Sequence, residues 1–523
     1  MNKTFINSKY LYSISVILFS FFFNYYYANL GVFPIDTFAF FDTGYNILID
    51  RHPFKDIWIT TGPLVDYLQA AFFKVLGISW FSYIAHASVL NSLISFFFFK
   101  TLVSFNLSKT LSFFYALSLG ALCYTVSGTP FAYIHSYVFS LLSILIFFST
   151  IKFKSKISFF FLPFSMSLAF LSMQNPSTFI NFFILIFLLI FFFRKNNRNF
   201  IYIFILGSFL MLIILIVFLL ITKIPLQNFI QQYILFPLTL GENRILGNEI
   251  AHISLLERFT FRNIIGHFKF LNFIIIFLSI LTLKDFLKTK LSFENLIINT
   301  SLILFGVSFI FNQLLTSNQT FIFSFIPFTA AFIHIYLNET NSLNKFKFLI
   351  FILMLFSTLK YHSEYNVKRK FMDLQNVNLN NAIDAKEIDN KLKGLKWITP
   401  KYANGAQTEV SLLKETIFNL KNDKRNKLVM SDYQFFSLIL EENLNIPNRW
   451  YTHDNNSYPL NNHRYFKIYK DHITKAILKN DIKVVYTIGE PNFKKFEIFL
   501  GENCNNVISL NKLTTIYELK QCS

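Results

Sequence analysis

Asn199-Phe-Ile-Tyr-Ile-Phe-Ile-Leu-Gly-Ser-Phe-Leu-Met-Leu-Ile-Ile-Leu-Ile-Val-Phe-Leu-Leu-Ile-Thr222 carries no charged side chain. As a helix it is long enough to cross the roughly 30 Å hydrocarbon core of a bilayer. Ten further apolar stretches repeat the pattern, near 11–30, 81–99, 110–127, 131–150, 157–172, 177–193, 268–283, 293–312, 320–337 and 346–360. Composition agrees, since 53% of residues are apolar, 71 are Phe and the mean hydropathy is +0.44. Such a chain needs lipid around it. A polytopic α-helical membrane protein of about eleven transmembrane helices is therefore expected over residues 1–360, with a first exterior loop at 31–80. Lys3 and Lys9 precede the first span, yet no small-residue cleavage site follows it, so it reads as a retained helix.

Loop charges give the orientation, because cytoplasmic loops accumulate Lys and Arg. Alternate loops carry Lys100 and Lys109, then Lys152, Lys154 and Lys156, then Arg194, Lys195 and Arg198, then Lys284, Lys288 and Lys290, then Lys345 and Lys347. The loops at 127–130, 174–177 and 313–319 have no basic residue. The pattern predicts a cytoplasmic amino terminus and an exterior location for everything past residue 360. It also makes part of the net charge of +19 a consequence of topology, so no nucleic-acid partner is inferred.

Past Lys360 the composition shifts to Asn, Lys, Asp and Glu, which marks a boundary and predicts an extracytoplasmic α/β domain over 361–523. About 160 residues can bury a core of their own. Helical spacing at 409–420, 433–440 and 472–478 alternates with short apolar strands at 427–431 and 483–488, and 506–519 reads as a closing hairpin. Cys504 and Cys522 flank that hairpin in a compartment that should be oxidising, which makes them candidates for a disulfide. Cys123 lies inside a span and reads as apolar filler. The segments Met430-Ser-Asp432-Tyr433-Gln434 and Asn448-Arg449-Trp450-Tyr451 join polar to aromatic groups of the sort that stack on sugar rings.

The first exterior loop is where chemistry is expected. It holds Asp36, Asp42, Asp50, Asp56 and Asp66 beside a membrane surface, where carboxylates do nothing for insertion. Asp50, Asp56 and Asp66 sit near Arg51 and Lys55 and read as solvated or paired. Asp36 and Asp42 lie in the aromatic stretch Phe33-Pro-Ile-Asp36-Thr-Phe-Ala-Phe-Phe-Asp42, where a carboxylate is costly unless something binds it. These two are the catalytic candidates.

An Asp shortly after the first span, Gly44-Tyr45, Pro53-Phe-Lys-Asp-Ile57 and Thr61-Gly-Pro-Leu-Val-Asp-Tyr-Leu68 together resemble the integral-membrane GT-C glycosyltransferases. Within them, the chain is similar to the bacterial branch related to protein mannosyltransferases and aminoarabinose transferases. Leu168-Ala-Phe-Leu-Ser-Met-Gln174-Asn175-Pro176 and Phe229-Ile-Gln-Gln-Tyr-Ile-Leu-Phe-Pro237 carry the resemblance onward. It implies transfer of a sugar from a polyprenyl-phosphate carrier to a glycan, lipid or protein acceptor on the exterior face of a bacterial inner membrane. It also implies that a first-loop Asp, Asp36 or Asp42, acts as base or orienting group, with Asp36 favoured for its place just after the first span. A phosphate leaving group wants cations, for which Arg244, Arg258 and Arg262 are the expected residues. Tyr45, His135 and Gln174 are expected to contact substrate. The chain has Thr43 where relatives commonly have Glu after the Asp, and Met173 where they have Lys. Some relatives bind a divalent metal near the loop, and nothing in the spacing here marks one. A transporter or flippase of lipid-linked sugars is the rival, but it predicts internal repeats with matched broken spans, and none is found.

Overall fold

The computed structural model describes residues 3–125, 127–246, 254–316, 322–340, 344–451, 457–489 and 505–519. A helix overlaps each of the eleven apolar stretches. Eight helices among the described residues are long and apolar enough to cross a membrane, so the protein is a polytopic helical one. Of the other three, Lys109–Cys123 and Lys156–Ser172 are shorter apolar helices and Phe325–Glu339 has 15 residues. Lys109–Cys123 ends before the expected 127, and an irregular stretch leads on to Ala132–Phe153.

Burial ranks these helices. Ala132–Phe153 is 83% buried and stands at the centre, whereas Phe200–Thr222, the most apolar, is 11% buried and presents its side chains outward. Apolar contact gives helices no reason to associate in lipid, so polar groups and small residues hold them together. Asn91 Nδ2 donates to the carbonyls of Ser20 (3.0 Å) and Gly120 (2.9 Å), joining Trp80–Ser104 to Lys3–Ala28 and Lys109–Cys123. Asn24 Nδ2 donates to Ser88 Oγ and the Gly128 carbonyl, 3.0 Å each.

Beyond Tyr361 the chain builds β1 (Ile383–Asp384) antiparallel to β2 (Lys396–Trp397), then a second sheet. That sheet comprises β3 (Lys427–Ser431), β4 (Val484–Ile488), β5 (Asn505–Ser509) and β6 (Thr514–Leu519) in the order β3-β4-β6-β5. β3 and β4 run parallel and the other pairs antiparallel. β3 and β4 are buried at every position, the usual condition of parallel strands covered on both faces. Helices Ala406–Asn422 and Phe466–Lys479 accompany the sheet. Cys504 and Cys522 lie outside the described residues.

The core expected to belong to 361–523 alone is shared with the first loop. Phe38, Phe41 and Trp80 pack in one cluster with Trp397, Phe435 and Val484. Main-chain bonds join the two parts as well: Gly31 N–H to the Lys396 carbonyl (3.0 Å), Val32 to Ile398 (2.9 Å) and Trp58 to Pro447 (2.8 Å). The loop is therefore a layer between the helices and the C-terminal unit. It meets the helices at Gly62, whose N–H donates to the Ser172 carbonyl at 3.1 Å. A Cβ at Gly62 would overlap the Leu171 carbonyl oxygen, which is backbone and cannot rotate away. Gly62→Ala is expected to cost about 1–3 kcal/mol of stability, read as a lower unfolding temperature in detergent; an unchanged temperature would mean that this contact opens freely.

Candidate functional site

Pro34–Thr37 is a one-turn helix entered through Pro34, whose ring presets a helical φ, and it places Asp36 on the wall of a cavity of about 460 Å³. Thr37 Oγ1 accepts the Phe33 N–H at 2.9 Å and fixes the turn. The cavity draws on every part of the fold. Thr60 and Thr61 come from the first loop, Tyr133 from the start of Ala132–Phe153, and Gln174 and Asn175 from the start of the helix that follows Met173. Arg244 comes from Phe236–Leu246, and Trp450 from the C-terminal unit.

Asp36 is half-buried, and its carboxyl makes no hydrogen bond or ion pair among the described residues. Enclosure by the surrounding protein pushes it up to about 7, because nothing nearby compensates for lost water. Gln174 is tethered, its Nε2 donating to the carbonyls of Thr60 (2.9 Å) and Tyr233 (2.6 Å), so it fastens three walls of the cavity together. Trp450 Nε1 donates to the Ile35 carbonyl at 3.1 Å, which seats the indole beside the Asp36 turn. Arg244 supplies a cation to the same lining.

Three of the residues expected from sequence thus come together: Asp36, Gln174 and Arg244. The others lie elsewhere, and all but Arg262 have protein partners or are packed in the core. Asp42 is 1% exposed, and its carboxylate accepts the backbone N–H groups of Leu438 (2.8 Å) and Ser437 (3.2 Å) at the start of the short helix Phe436–Leu440. It caps that helix from another part of the chain. Burial pushes its carboxyl up to about 7 against the pull of those two N–H groups and of Arg51. Tyr45 is buried in the core shared with the C-terminal unit. Arg258 Nη1 donates to the carbonyls of Leu314 and Leu315, 3.0 Å each, and so satisfies the end of Phe293–Thr316. Arg262 is exposed and does not line the cavity. His135 is fully buried, with Nε2 3.1 Å from His86 Nε2 and Nδ1 3.0 Å from the Phe131 carbonyl.

Of the two polar–aromatic segments, Tyr433 turns inward, its hydroxyl donating to Glu409 at 2.6 Å, while Trp450 reaches the cavity. Tyr133 and Tyr233 were not singled out as lining residues from sequence. Tyr133 sits in a span where one more aromatic residue carries no signal, and Tyr233 lies within the segment at 229–237 without distinction from its neighbours. Among the described residues no group of three or more His, Cys, Asp or Glu side chains could hold a metal ion.

Asp42→Ala is expected to leave two buried N–H groups without acceptors, at about 1–3 kcal/mol for each orphaned group. Heat-induced unfolding of the purified variant checks this, and wild-type behaviour would show that the cap does not hold the C-terminal unit.

A partnerless carboxyl that titrates near neutrality can take a proton from a hydroxyl, and a guanidinium on the same cavity can meet a developing phosphate charge. Neither a protein-family model nor a curated protein matches the chain.

Proposed function

We propose that the protein is a membrane glycosyltransferase that moves a sugar from a polyprenyl-phosphate carrier to an acceptor hydroxyl on the exterior face of the membrane. The observation that carries this reading is the Asp36 carboxyl, without a partner among the described residues, on a cavity that also holds Arg244 and Gln174. The resemblance of the first loop to GT-C enzymes supports it. In the reaction the acceptor oxygen bonds to the sugar's anomeric carbon as the bond from that carbon to the phosphate oxygen breaks. The hydroxyl proton passes to Asp36, and the leaving polyprenyl phosphate keeps the electron pair, its charge met by Arg244. Attack from the face opposite the phosphate inverts the anomeric centre. With this reading go eleven spans, a cytoplasmic amino terminus, an exterior C-terminal unit and residence in a bacterial inner membrane. Apolar lining from Phe170, Leu238 and Leu315 suits a lipid-borne donor.

The test is complementation of a deletion strain with wild type, Asp36→Asn or Arg244→Ala, with glycan profiles and membrane abundance followed together. Loss of a surface glycan with Asp36→Asn at normal abundance is the expected result. Full restoration by Asp36→Asn would end the assignment of the base and favour a transporter of lipid-linked sugars.

A further inference from the structure

A second cleft, of about 690 Å³, adjoins the first. Trp58 and Gln232 line it, whereas Thr60, Thr61 and Tyr233, next along the same two segments, line the Asp36 cavity. The Ile59 N–H, donated to Gln232 Oε1 at 3.3 Å, ties these segments into a common wall. The opposite side of the cleft is Phe466–Lys479 of the C-terminal unit.

Its volume falls within the range of ligand sites, about 300–1,000 Å³, but most such sites are apolar and this one is not. Charge nearly cancels across it, with Arg51, Lys55, Lys475 and Lys479 set against Asp50, Asp56 and Asp471. His472 adds no charge at neutral pH, since burial holds its imidazole down to about 4. A polyanion finds little net attraction here. Among the described residues, the side-chain amides of Gln227 and Gln231 make no hydrogen bond and the buried indole N–H of Trp58 has no acceptor. Amides, ammonium groups and carboxylates together offer donors and acceptors in alternation, and a sugar hydroxyl is both at once.

We propose that this cleft is a saccharide-binding site, separate from the Asp36 cavity and independent of the transfer chemistry proposed above. The experiment uses full-length protein purified in detergent. The probe is the set of oligosaccharides released by mild acid from the envelope of the producing cells, separated by size and titrated calorimetrically. At least one size fraction is expected to bind, and Gln231→Ala and Lys479→Ala, both at the cleft surface, are each expected to weaken it by about tenfold, the loss of one good hydrogen bond. Arg244→Ala should leave that affinity unchanged. The proposal is overturned if no fraction binds, if Arg244→Ala abolishes binding while the two cleft variants do not, or if inorganic phosphate alone binds at the cleft residues in place of a saccharide.

Discussion

Asp36→Asn is expected to lower the proposed sugar transfer by about 10²- to 10⁴-fold, the usual contribution of a positioned general base, with the protein still at wild-type abundance. The amide keeps the size and shape of the carboxyl but replaces one acceptor oxygen with an NH2 donor and cannot take a proton. Wild-type transfer should rise as pH climbs through about 7, the value to which burial pushes this carboxyl, and level off above it, because the base works deprotonated. Asp36→Asn removes that limb. The stability effect has the opposite sign. Because the folded-state value is raised, the folded protein keeps a proton that the unfolded chain releases between about 4 and 7, so this group makes stability fall as pH rises through that window. Above pH 7, Asp36→Asn should therefore be at least as heat-resistant as wild type. Steady-state transfer and thermal unfolding across pH 5 to 9 read both effects. Activity within twofold of wild type, or an unchanged pH profile, would rule out Asp36 as the base.

Arg449→Met should be the most destabilising single change, at about 3–5 kcal/mol, the cost of leaving one member of a buried ion pair behind. Arg449 is 1% exposed and its partner Asp66 0%. Burial raises the Asp66 carboxyl above its ordinary value, and Arg449 beside it works against that. The same guanidinium donates to Thr61 Oγ1 and lies over the rings of Phe40 (4.2 Å) and Trp450 (5.4 Å). It thus pins the first loop, a helix of that loop and the cavity's Trp450 at one point, and transfer should fall along with stability. In the double variant Arg449→Met/Asp66→Leu most of the stability should return, since no buried charge is then unpaired. Thermal unfolding in detergent gives all three values. A cost under about 1 kcal/mol for Arg449→Met would show that the pair is hydrated and holds nothing together, as exposed pairs do.

The apolar stretches, eight of which fall in helices long and apolar enough to cross a membrane among the described residues, were legible because a bilayer imposes a local requirement, a continuous apolar run, that can be counted along the chain. The strands at 427–431 and 484–488 and the terminal hairpin were legible for a similar reason, being short apolar runs between helical patterns. Asp36 and Asp42 show where local reading stops. Both lie among aromatic residues in the same loop, and sequence favoured Asp36 only by its place just after the first span. What separates them is long-range: the N–H groups of residues 437 and 438 donate to Asp42, whereas the Asp36 carboxyl has no hydrogen-bond partner among the described residues. Arg258 and Arg244 divide in the same way, one spent on the carbonyls of Leu314 and Leu315 and the other on the cavity wall.

By itself, then, the sequence determined that this is a polytopic helical protein, and it named the loop in which the unpaired carboxyl lies. Tertiary structure alone decided that residues 361–523 share a core with that loop, that Asp36, Gln174, Arg244 and Trp450 line one cavity, and that Asp42 and Arg258 bond to backbone groups away from it. The physical reason is range. Apolar length is a property of neighbours along the chain, whereas the satisfaction of a buried polar group depends on partners that folding brings from far along the chain, such as the pair Asp66 and Arg449, 383 residues apart.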